Sequence, residues 1–83
     1  MFESMNSLIG ALIAVMREVD RCDALVAAGG LTVEEEDELG DYLNQLQEAL
    51  SDMREAYEAR LPEHPTLLPY AELRQRVRGR RVK

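Results

Sequence analysis

An all-α fold is predicted by three features of the sequence. Two long segments space their apolar residues at helical intervals. A glycine pair, Gly29-Gly30, separates them. The three prolines, Pro62, Pro65 and Pro69, are confined to the last third of the chain. Together they predict an antiparallel two-helix hairpin over residues 1–61, followed by a Pro-punctuated arm and basic tail over 62–83. The arm holds a possible short third helix.

The first helix is expected over about 4–28. Its start is open, because Ser4, Asn6 and Ser7 are each competent caps. Its end is better marked: Ala27-Ala28 favours helix, and Gly29 supplies the left-handed residue that commonly stops one. The second helix, about 33–61, opens on Thr32 with Glu35 three residues later. That is the signature of a capping box, in which each side chain satisfies a free backbone N–H. Glu34, Glu35, Glu36 and Asp37 then occupy the first turn, where the helix dipole favours negative charge. Leu61-Pro62 ends the helix, since a residue before proline is pushed out of the helical region. At about 1.5 Å per residue both helices are roughly 40 Å long, and a loop of about four residues makes them antiparallel neighbours. In the arm, residues 70–78 are a third helical segment entered by Pro69, with Leu73 and Val77 as its i, i+4 anchor. So short a helix needs docking to persist.

The two long faces differ in width. On the second helix Leu39, Tyr42, Leu43, Leu46, Leu50, Met53 and Tyr57 cover an arc of roughly 120°, one ordinary buried stripe. On the first helix, residues 5–16 spread apolar groups over roughly 180°. One neighbouring helix cannot cover that. The expectation is a homodimer closing into a four-helix bundle, with Met5, Leu8, Ile9, Leu12, Ile13 and Met16 as its interface. In topology and length such a dimer resembles the Rop-type RNA-binding regulators of plasmids. The likeness carries no residue motif, so it implies the fold and not RNA binding.

Size and charge bound the function. Eighty-three residues make one domain, without room for a large enclosed active site. The single cysteine, Cys22, excludes an internal disulfide and a Cys-based zinc site. The longest apolar-plus-glycine run, Leu8 to Met16, is nine residues and too short to span a bilayer. With no basic leader before it, the chain is expected to be cytoplasmic and reduced, with no membrane partner. The net charge is −6, unevenly distributed. Arg74, Arg76, Arg78, Arg80, Arg81 and Lys83 put +6 in the last ten residues, while four cations and all sixteen acids leave −12 in the first 73. Such a tail is open to three readings: solvated, paired with acidic protein (its own body included), or bound to phosphates. It has no interleaved aromatics for base stacking, and the acidic body repels a duplex.

The acidic stretch Glu34–Glu38, continuing to Asp41, reads first as capping and solvated face. The run Glu38-Leu39-Gly40-Asp41-Tyr42-Leu43 resembles the ELGDLL-like segment of MazG-type all-α NTP pyrophosphohydrolases. The resemblance covers six residues. It implies a Mg²⁺-dependent hydrolase using Glu35, Glu38 and Asp41 with Glu18. The first helix, with Glu18, Asp20 and Asp23, lacks the E-E-x-x-E set those enzymes carry. Asp20 and Asp23 lie near the loop and are expected to meet water. Tyr42, Tyr57 and Cys22 are expected in the core, and His64 in a linker.

The resulting expectation is a small acidic non-catalytic protein, inhibitor- or adaptor-like, that needs no cofactor or metal. Its partners are itself and another protein, contacted by Leu67, Leu68, Tyr70, Arg74, Arg76, Arg78, Arg80 and Arg81. Small bacterial or phage regulators share this profile by analogy. The alternatives are a nucleic-acid-binding regulator using the Arg-rich tail, and the MazG-like hydrolase.

Overall fold

The computed structural model describes residues 4–79. They form three α-helices: α1 (Met5–Ala28), α2 (Val33–Arg60) and α3 (Tyr70–Gly79), with a 3₁₀ turn at Leu61–Glu63 after α2. The two long helices pack together along the hairpin, and α3 lies against both. The molecule measures 46 × 31 × 16 Å. No helix among the described residues is long and apolar enough to cross a membrane.

The helix ends follow local chemistry. Ser4 caps α1, its hydroxyl accepting from the Ser7 N–H at 3.1 Å. At α2 both halves of the capping box form. The Glu35 N–H donates to Thr32 Oγ1 at 3.1 Å, and the Thr32 N–H donates to Glu35 Oε1 at 2.9 Å. Gly29 and Gly30 both take positive φ, 76° and 82°, so the reversal between α1 and α2 uses the two residues without a Cβ penalty. Pro62 sits in the first turn of the 3₁₀ segment, where its missing N–H costs nothing. The Leu73 N–H donates back to the Pro69 carbonyl at 3.0 Å, which starts α3 directly after the proline.

Burial is lopsided. On α1, Met5, Leu8, Leu12, Met16, Val19 and Cys22 are buried, and so is Asp20. On the longer α2 only Leu50 and Tyr57 are. The cause is position. One helix lies against most of α2, whereas α1 has α2 on one side and α3 on the other. The core accordingly gathers Met5, Leu8, Leu12 and Met16 with Leu50 and Tyr57 of α2 and Tyr70 and Val77 of α3. The broad apolar arc of the first helix thus receives a second neighbour from within its own chain.

The arm is tied down at its centre. The Tyr57 hydroxyl donates to the Leu68 carbonyl at 2.6 Å. The Tyr57 and Tyr70 rings meet edge to face, 6.5 Å between centroids at 63°. The Arg54 guanidinium lies 4.8 Å from the centre of the Tyr70 ring, a cation–π contact.

Candidate interaction surface

The strongest polar contact between elements joins α1 to α3. Arg74 donates to both oxygens of Asp20, at 2.8 and 3.1 Å, and Arg78 Nε lies 3.5 Å from the same carboxylate. The Asp20 and Arg74 side chains are only 8% and 13% exposed. A bidentate Arg–carboxylate pair fixes orientation as well as distance. The Arg74 guanidinium hydrogen-bonded to Asp20 holds its carboxyl below the ordinary value, against the opposing effect of burial. Asp20 was expected to meet water. It is instead buried under a guanidinium arriving from 54 residues away. Asp23 is exposed.

A second polar group lies at a similar level of the hairpin, between α1 and α2. Glu18 accepts from Arg21 Nε at 2.7 Å and Nη2 at 2.9 Å, and from the Tyr42 hydroxyl at 2.6 Å. The Arg21 hydrogen bonds, then that of Tyr42, hold the Glu18 carboxyl down at about 2. Tyr42 was expected in the core. It is 39% exposed, and its hydroxyl donates to Glu18 of α1. Tyr57 and Cys22 are buried as their helical spacing implied, and burial pushes the Cys22 thiol up.

These contacts bear on the carboxylates singled out in the sequence. Glu18 is engaged by Arg21 and Tyr42, and Glu35 by the cap of α2. Among the described residues no three His, Cys, Asp or Glu side chains gather as a metal ion would require.

Between α1 and α3 runs an open groove of about 600 Å³. Ile13, Leu68, Leu73 and Val77 give it apolar walls, and Arg17 and Arg76 rim it. Both arginines are exposed, and neither forms an ion pair among the described residues. The groove exists because α3 docks through Tyr70 and Val77 while Leu73 stays half-buried.

The residues picked out by sequence divide accordingly. Met5, Leu8, Leu12 and Met16 are inside the single chain, covered by its own helices. Of the expected interface only Ile9 and Ile13 remain half-exposed, and Ile13 lines the groove. Of the expected partner-binding set, Tyr70 is buried, Leu67 packs on the core, and Arg74 is turned inward to Asp20. Leu68 and Arg76 line the groove. Arg78 is 61% exposed on the outer side of the Asp20 pair. Arg80 and Arg81 lie outside the described residues. The Asp20–Arg74 clamp is the feature sequence reasoning missed. Its trace was Arg74 sharing a helical face with Tyr70 and Val77, at i+4 and i+7.

No family model, curated protein or solved structure matches this chain.

Proposed function

We propose that this chain is a small non-catalytic interaction protein, a regulator or adaptor, which associates with itself and binds another protein through the groove between α1 and α3. The observation that carries this reading is the groove itself. Apolar walls beside two exposed arginines that form no ion pair among the described residues suit an amphipathic, acidic protein surface. Apolar contact supplies affinity, and the arginines fix the approach.

The state of the basic segment favours a protein over nucleic acid as the target. Arg74 is already neutralised by Asp20, and Arg78 lies beside the same carboxylate. Fewer cations are left to displace counterions from a phosphate backbone. The acidic body, which carries −12 over residues 1–73, opposes a duplex as well.

The test is affinity purification of the tagged protein from its source cells, beside Ile13→Asp and Arg76→Glu. A protein captured by the wild type and lost with both variants, while far-UV circular dichroism stays unchanged, supports the reading. Capture that ignores both variants overturns the groove. Nuclease-sensitive capture lost on deleting residues 74–83 points to nucleic acid instead. Pyrophosphate release from NTPs with Mg²⁺, abolished in Asp41→Ala, would overturn the non-catalytic reading.

A further inference from the structure

The chain carries a second apolar patch, almost flat, whose rim has the opposite charge. It lies at the loop end of the hairpin, formed by Leu25, Leu31, Leu39 and Tyr42 with Glu35 and Glu38 at its edge. Leu25 is 40% exposed and Tyr42 39%, both high for such large side chains. α3 reaches α1 as far as Asp20 through Arg74 and Arg78, and Leu25 lies five residues further toward the loop, so among the described residues the tip is left to α1 and α2.

From these two surfaces we infer that the groove between α1 and α3 receives the hairpin tip of a second copy of this chain, in a closed antiparallel dimer. This rests on the interaction reading above and names a second copy as the groove's occupant, so another protein reaches the groove only when the dimer opens. Four features carry it. The groove offers apolar walls with Arg17 and Arg76, and the tip offers apolar groups with Glu35 and Glu38. None of Arg17, Arg76 and Glu38 is in an ion pair among the described residues, whereas Glu18, Arg21, Asp20 and Arg74 nearby are all paired. A chain cannot fill its own groove, because α1 is one continuous helix and twelve residues, about 18 Å, separate Ile13 from Leu25. A two-fold axis makes the contact twice, tip of each in groove of the other, and leaves neither surface free to propagate.

The test is the mass of the full chain in solution by light scattering and sedimentation equilibrium. The expected mass is twice 9.4 kDa at micromolar concentration. Arg76→Glu and Glu38→Arg each place like charges across the contact and weaken the dimer about tenfold or more. The double variant, with the pair reversed, associates more tightly than either single variant. Leu25→Glu alters a position that is 40% exposed, so it should abolish the dimer and leave the helical far-UV circular dichroism unchanged. A wild-type monomer at roughly 300 µM, far above the range of specific micromolar association, overturns the proposal. So does a dimer indifferent to Glu38→Arg and Leu25→Glu, or a mass that climbs past two copies. Failure of the broader reading looks different, because these tip variants leave the groove intact. A wild-type monomer that still captures another protein, with the capture lost in Ile13→Asp, would overturn the dimer and keep the groove as a binding site.

Discussion

Replacing Arg74 by Met should cost the protein about 2–3 kcal/mol. Exposed ion pairs are worth about 0.2–1 kcal/mol, whereas breaking a buried pair by removing one partner costs about 3–5 kcal/mol. The Asp20–Arg74 pair belongs near the second class, with side chains 8% and 13% exposed and two hydrogen bonds between them. Arg78, 3.5 Å from the same carboxylate, remains as a partial substitute and trims the loss. A chain of this length holds a total stability of about 4–12 kcal/mol, so the change is large. It should lower the melting midpoint by about 10–20 °C. Urea and thermal unfolding followed by far-UV circular dichroism measure it. The pH dependence supplies a sign. Asp20 has a lowered pKa in the folded state, chiefly through Arg74, so the pair's contribution is full above the unfolded value near 3.8. It disappears as pH falls through the folded value, and there the gap between wild type and Arg74→Met should close. Pairing Asp20→Leu with Arg74→Met should recover most of the loss, since an apolar pair of similar volume needs no compensation. A cost below about 0.5 kcal/mol for Arg74→Met, in the range of exposed pairs, would refute the reasoning.

Other outcomes are expected from packing and hydrogen bonding. Leu12→Ala removes a fully buried side chain and should cost about 2–5 kcal/mol, while Leu46→Ala, at a half-buried position, should cost about 1 kcal/mol. Equal urea midpoints for the two variants would contradict the observed asymmetry between α1 and α2. Tyr57→Phe leaves the ring and removes the hydrogen bond to the Leu68 carbonyl, for an expected loss of about 1 kcal/mol in denaturant unfolding. A carbon-detected NMR titration should place the Glu18 carboxyl midpoint near about 2, well under the ordinary 4.5. The stabilisation that goes with this lowered value is present above pH 4.5 and fades as pH falls toward 2. Arg21→Ala should raise the midpoint most and Tyr42→Phe less. A wild-type midpoint near 4 would mean the contact does not form in solution.

The two long helices, their order and three of their four ends were legible in the residues, because each depends on neighbours three or four positions away; the start of α1, open among Ser4, Asn6 and Ser7, was settled at Ser4 only in the fold. Thr32 and Glu35 cap α2 as their spacing predicts, Gly29 closes α1, and Pro69 opens α3. The identity of α1's second neighbour was not legible. Its wide apolar face predicted another molecule, yet α3 of the same chain covers much of it. An apolar arc records how much surface must be hidden and carries no label for what hides it. The same limit applies to the polar contacts. Arg74 in the basic tail and Asp20 near the loop look like solvated charges until the fold brings them together across 54 residues. Tyr42 had helical spacing proper to the core, but in the folded chain it is 39% exposed with its hydroxyl on Glu18. Spacing along a helix sets which residues share a face, and only the packing of α1, α2 and α3 decides which stretch of that face finds a neighbour.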